Sequence, residues 1–175
     1  MPRKENTINI PHRLHTALAH HQAGRTGEAK AIYREILQLM PAHPDALHLL
    51  GMALHQEGDI HGAVKLIRKA IKKNPASPIF YNNLGEVYRL SKHYKNALGC
   101  YREALKLKPD FAETHKNIGS VYKETGEFQL AIDHLKKAIA LRPAYADACY
   151  SLGNLFQEQG MQKDALTYYH MAFTH

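Results

Sequence analysis

Four similar stretches, QLMP, KKNP, KLKP and ALRP, end on Pro41, Pro75, Pro109 and Pro143, and the separation is 34 residues each time. Gly51, Gly85, Gly119 and Gly153 recur at the same interval. So do two alanine columns, Ala29–Ala63–Ala97–Ala131–Ala165 and Ala70–Ala104–Ala138–Ala172. Four columns in one register mean that the chain is an array of similar units. No unit of this size buries its apolar side alone, so neighbouring units must stack.

Each unit holds two apolar stretches with helical spacing. Leu47, Leu50, Gly51 and Leu54 fall at i, i+3, i+4 and i+7, which is one face of a helix. Ala63, Ile67, Ala70 and Ile71 form the next face. Between them Gly58 suits the left-handed residue that ends a helix, and Gly24, Gly126 and Gly160 stand in the same place. Lys92 replaces that glycine in the third unit, an expected strain of about 1 kcal/mol. The small columns predict close helix contact, with Gly85 and Gly119 meeting Ala97 and Ala131 while Tyr88, Tyr101, Tyr122 and Tyr169 fill the remaining space. The prolines stop each second helix.

A 34-residue helix–turn–helix with Leu-Gly, Tyr, Ala, aromatic, Ala and Pro in this order resembles the tetratricopeptide repeat (TPR). The resemblance divides the chain into repeats 10–43, 44–77, 78–111, 112–145 and 146–175, after an expected flexible tail at 1–9. The first repeat is degenerate, with Ala17 at the glycine position and His20 in the tyrosine column. The resemblance implies an all-α fold, a right-handed α-solenoid of five stacked helix–turn–helix units. First helices would line a concave side and second helices a convex side. It also implies a non-catalytic, cofactor-free protein-interaction module that takes an extended or helical partner segment.

Residues off the packing stripe of the first helices are the expected groove. They are His48, Met52 and His55 in the second repeat, and Asn82, Asn83, Glu86 and Arg89 in the third. Lys116, Asn117, Ser120 and Lys123 follow in the fourth, and Tyr150, Ser151 and Asn154 in the fifth. Asn is a poor helix former, so Asn82 and Asn83 inside FYNNLGEVY call for a reason. An amide both donates and accepts, and Asn117 lies 34 residues after Asn83. The NNLG and KNIG stretches look like the TPR region of the O-linked N-acetylglucosamine transferases, whose asparagine ladder holds a peptide backbone. Asn83 and Asn117 carry over; Leu49 and Ser151 depart. The Lys/Asn/Arg clamp that binds acidic chaperone C-termini is absent, since Asn82, Glu86, Ser120 and Ser151 stand at clamp positions.

The two cysteines, Cys100 and Cys149, form no CxxC and no disulfide framework. No apolar run nears the roughly 18 residues of a membrane span, and the N-terminus lacks a signal-peptide core. A cytoplasmic chain with reduced thiols is expected. Thirteen histidines include neither HExxH nor a cysteine neighbour, so no metal site is expected. No Gly-rich phosphate loop and no nucleophile–base motif occurs, so no enzyme activity is assigned to the chain. The net charge of +7 permits acidic partners. A column of Arg34, Arg68, Arg102 and Lys136 on the second helices makes a nucleic-acid or membrane-surface binder one alternative. The other is the substrate-recruiting region of a larger transferase. At the C-terminal end, Tyr169, Ala172 and Phe173 are expected to pack inward, with Leu155, Phe156, Leu166 and Tyr169 partly uncovered. Such a patch marks self-association or a chain that continues.

Overall fold

Ten helices follow one another in a computed structural model of the chain that describes residues 9–174. The first helices are α1 (Ile10–Gln22), α3 (Pro44–Gln56), α5 (Pro78–Leu90), α7 (Ala112–Glu124) and α9 (Ala146–Glu158). The second helices are α2 (Thr26–Leu39), α4 (Ile60–Lys73), α6 (Tyr94–Leu107), α8 (Phe128–Leu141) and α10 (Gln162–Phe173). No strand occurs among the described residues. Most of the expected tail lies outside them, but Asn9 does not belong to it: its side chain accepts from the His12 amide at 3.1 Å and caps α1.

Local chemistry fixes the helix ends. Gly24, Gly58, Gly126 and Gly160 have φ between 75° and 86°, and Lys92 takes the same left-handed conformation at φ 61°. A residue before proline is driven out of the helical region. Met40, Asn74, Lys108 and Arg142 accordingly turn extended, at ψ 80°, 85°, 88° and 91°, one residue ahead of the proline column. Pro44 and Pro78 each begin a first helix, where a missing N–H costs nothing.

The helices fall into two compact units, Met1–Phe80 and Tyr81–His175. In the first, Ala17, Ala29, Tyr33 and Leu50 form one core cluster, and Leu47, Ala70 and Phe80 another. In the second, Ala97, Tyr101, Ile118 and Val121 pack together. A larger cluster joins α8 to α9 through Ile132, Leu135, Ala148, Cys149 and Leu152.

The glycine column works by close approach, as expected: a Cβ on Gly119 would stand 3.2 Å from the Ala131 carbonyl oxygen, and the side chains four residues beyond the alanines crowd both glycines. A Cβ on Gly85 would stand 2.5 Å from the Tyr101 ring, and one on Gly119 would stand 2.8 Å from Leu135 Cγ. The fifth repeat corrects the reading of its end. Leu155 and Phe156 are buried, Phe156 being stacked on Tyr168, whereas Phe173 is 82% exposed and Leu166 67%. The uncovered face is therefore that of α10, the last second helix.

Candidate functional site

In the Tyr81–His175 unit the expected groove residues divide into two sets with different work. Asn82 and Asn117 are not open to a ligand; they are 1% and 3% exposed. Asn117 Nδ2 donates to Asn82 Oδ1 at 3.2 Å, and the Thr114 hydroxyl donates to the same oxygen at 2.9 Å. Asn82 Nδ2 in turn donates to Asn83 Oδ1 and to Glu113 Oε1, both at 3.2 Å. The side chains pin α5 to α7. The physical reason for Asn82 in α5 is therefore internal: a buried amide satisfies several polar groups at once. His48 is corrected in the same way, since it is 5% exposed and stacked on Phe80 with ring centroids 4.6 Å apart. Burial lowers its pKa to about 4.

A second layer is ionic. Arg89 forks onto Glu86, Nη2 to Oε1 at 2.7 Å and Nε to Oε2 at 3.0 Å, and also pairs with Glu124. The Tyr101 hydroxyl donates to Glu86 Oε2 at 3.1 Å. Burial pushes the Glu86 carboxyl up, but Arg89, Tyr101 and the charge of Lys116 outweigh it, so it lies below the usual range. Its hydrogen bonds to Glu86 raise the Arg89 pKa, and burial raises that of Tyr101. Lys123 Nζ meets Glu158 at 2.7 Å, continuing the rail from α7 to α9. Glu86, Arg89 and Lys123 are thus partly spent on holding first helices in register. Thr114, Tyr101 and Glu124 share this work and were not among the expected site residues. The spacing between Asn82 and Thr114, 32 residues, was the available signal.

The remaining residues face a different environment. Lys116 and Tyr150 occupy the Asn82 column in the next two repeats. Tyr150 is 52% exposed and Lys116 is half-buried. Ser120 and Ser151 turn their hydroxyls back to the carbonyls of Lys116 and Asp147. Asn154 accepts from the Tyr169 hydroxyl at 2.8 Å. A hollow of about 570 Å³ opens beside Tyr150, Leu166, Tyr169 and Phe173. In the Met1–Phe80 unit, Met52 and His55 are half-buried on α3, and His21 Nε2 lies 2.8 Å from Gln56 Oε1.

A tetratricopeptide-repeat model matches residues 20–84, and a TPR-repeat model matches residues 85–126 and 119–160. Between them these matches run over residues 20–160, most of the chain. The chain belongs to the tetratricopeptide-repeat family. Its fold agrees with solved TPR structures. One is TTC0263, a thermophilic TPR protein of Thermus thermophilus, with TM-score 0.83 and 24% identity over 94% of this chain and 90% of that one. Another is pilF of Pseudomonas aeruginosa, with TM-score 0.85 and 22% identity over 94% and 75%. MamA from Desulfovibrio magneticus RS-1 gives TM-score 0.75 and 22% identity over 94% and 93%. No curated protein sequence matches the chain. Like these TPR structures, it is an all-α solenoid in class. None of its described helices is long and apolar enough to cross a membrane.

Proposed function

We propose that the chain is a non-catalytic protein-interaction module whose α5–α7–α9 face in the Tyr81–His175 unit takes an extended segment of a partner protein. One observation carries the reading. In the 48–82–116–150 column, His48 and Asn82 are consumed by contacts to the following repeat, through Phe80 and Thr114. Lys116 instead has the buried methyl group of Ala148 at the corresponding position 32 residues on, which offers it neither a hydrogen bond nor a charge. Tyr150 follows it and stays half-exposed. A cation and an aromatic ring on adjacent first helices form a polar and an apolar anchor. Packed helices stand about 8–10 Å apart, which an extended chain crosses in roughly three residues at about 3.3 Å each. The fitting segment carries a carboxylate and, about three residues away, an apolar side chain. Asn83, Ser120 and Asn154 lie alongside for its backbone. A cytoplasmic location accords with a chain whose two cysteines form no CxxC pair, Cys149 being buried.

The test is a peptide array of acidic–apolar spacings, followed by titration of the best binder. Lys116→Glu and Tyr150→Ala are each expected to weaken binding at least about tenfold, that is about 1.4 kcal/mol, with the melting curve unmoved. Binding that survives both changes but is lost on Arg68→Glu with Arg102→Glu would move the site to the second helices and sink this reading.

A further inference from the structure

Helix α4 of the Met1–Phe80 unit turns only basic side chains to solvent. Ala63, Ile67 and Ala70 are buried on its inner side, and its exposed residues are His61, Lys65, Arg68, Lys69, Lys72 and Lys73. The other second helices each expose a carboxylate: Glu28 and Glu35 on α2, Glu103 on α6, Asp133 on α8 and Asp164 on α10. Asp59, just before α4, is turned to the Gly62 amide at 2.8 Å as its N-cap. Among the described residues no ion pair or hydrogen bond holds the Lys and Arg side chains of α4, whereas Lys30, Arg89, Lys106 and Lys123 are all paired. Lys72 and Lys73 suit a helix C-terminus, but Lys65, Arg68 and Lys69 lie too far from it. Lys65 with Lys69, Arg68 with Lys72, and Lys69 with Lys73 are like charges at i, i+4, which weaken a helix. Folding gains nothing from the strip.

We infer that this strip binds the phosphate backbone of a nucleic-acid duplex without reading its sequence. Three observations select that occupant. The first is charge density. Lys65 to Lys73 spans about 12 Å of helix axis, so a cation follows about every 3 Å. A nucleic-acid strand carries a phosphate about every 3.4 Å. An extended acidic peptide turns alternate side chains away and offers one carboxylate per about 6.7 Å. Second, no exposed residue of α4 is apolar or aromatic. A helix lying in a bilayer buries an apolar face there, and the apolar face of α4 is already spent on the core. A single strand is held by stacking on aromatic rings, which the strip lacks. Third, apart from Arg68 the charges are lysines, point charges on flexible stems without the planar fork that grips one carboxylate. No amide or hydroxyl stands with them to read a base edge. The attractive area is also one helix wide. Leu66 of α4 packs in one cluster with Leu37 of α2, and α2 exposes Glu28 and Glu35. That width suits a rod better than a flat anionic membrane. The inference does not rest on the peptide-binding reading, which concerns first helices of the other unit.

Fluorescence anisotropy of a labelled DNA duplex of about 20 base pairs, titrated with the full chain between about 50 and about 200 mM salt, tests it. A dissociation constant of about 1 to 100 μM is expected at physiological salt, with log K falling against log salt at a slope of about −4 to −5. Lys65→Gln with Lys69→Gln and Lys72→Gln is expected to weaken binding at least about tenfold and to flatten the slope by about 2.7. Its melting temperature is expected not to fall, since like-charge pairs are relieved. Lys95→Gln with Arg102→Gln and Lys163→Gln removes the same charge from other helices, and is expected to change affinity by less than about threefold. An RNA duplex is expected to bind within about threefold of the DNA, because only phosphates are touched. Equal weakening by the two triple variants would overturn the inference, since net charge alone would then account for binding. So would no binding to either duplex at about 50 mM salt. Tighter binding to vesicles of phosphatidylcholine with phosphatidylserine, or to polyglutamate, that is lost in the α4 variant would overturn it as well, and would give the strip to a membrane or to an acidic protein.

Discussion

Two joints of the molecule sit at the same place in the repeat and are made of different matter. In the Met1–Phe80 unit, His48 stacks on Phe80, 32 residues on. In the Tyr81–His175 unit, Asn82 accepts from Thr114, again 32 residues on. The first joint is held by ring contact and burial. The second is a hydrogen-bonded cluster that draws in Asn117 and Glu113. Their difference is one of brittleness. A stacked ring loses contact area when altered, whereas a polar cluster loses a partner and leaves buried groups unpaired, the costlier event. The third position in the column, Lys116, makes no joint with Ala148, and the repeat is free to present it.

The largest expected effect comes from breaking the polar joint. Asn82→Ala strips acceptors from Thr114 and Asn117 and a donor from Glu113. A loss of about 3 kcal/mol is expected, read as faster amide exchange in α5 and α7 and a lower denaturant midpoint. An unchanged midpoint would mean that water replaces the amide and that the joints are equivalent.

Acid strikes the other joint. His48 in the folded chain has a pKa of about 4 against an ordinary 6.5. The unfolded chain therefore binds the proton first as pH falls. The stability is fully present above about pH 6.5 and is lost progressively down to about pH 4, by about 2 kcal/mol between about pH 7 and 5. His115, with its pKa lowered to about 4 by burial, Lys137 and His134, adds a loss of the same sign in the second unit. Its Nδ1 lies 3.1 Å from His134 Nδ1. In His48→Leu, urea melts at about pH 7 and 5 should show α3 and α4 losing this acid sensitivity while α7 and α8 retain it. Equal acid loss in wild type and variant would remove His48 as the cause.

A transplant sharpens the comparison further. His48→Asn and Phe80→Thr each destabilise the first unit, but together they rebuild the Asn–Thr pair. A favourable coupling of about 1 kcal/mol is expected in the double-mutant cycle, and strict additivity would show that the joint depends on more than its two members. The smallest effect is at Lys116. Lys116→Ala is expected to move stability by less than about 0.5 kcal/mol, and a larger loss would assign Lys116 to the framework and remove it from the peptide anchor.

Much of this was legible in the chain itself. The 34-residue period, the helix faces, the left-handed turns including Lys92, and the extended residue before each proline all follow from local rules, because hydrogen bonding and sterics within a few residues decide them. The fate of the groove residues does not. Asn82 and Lys116 are both polar, sit in one column and obey the same helical period, yet one is sealed and the other presented. What separates them is the residue 32 positions on, a Thr hydroxyl or an Ala methyl group. Likewise Leu166 resembles Ile132 in every local respect, and is exposed because no described helix lies on α10 as α9 lies on α8. Period and helix face are properties of a segment, whereas burial and pairing belong to two segments brought together. The repeat follows from local sequence, whereas the stacking of one helix on the next decides which of its side chains are sealed in the stack and which stay exposed.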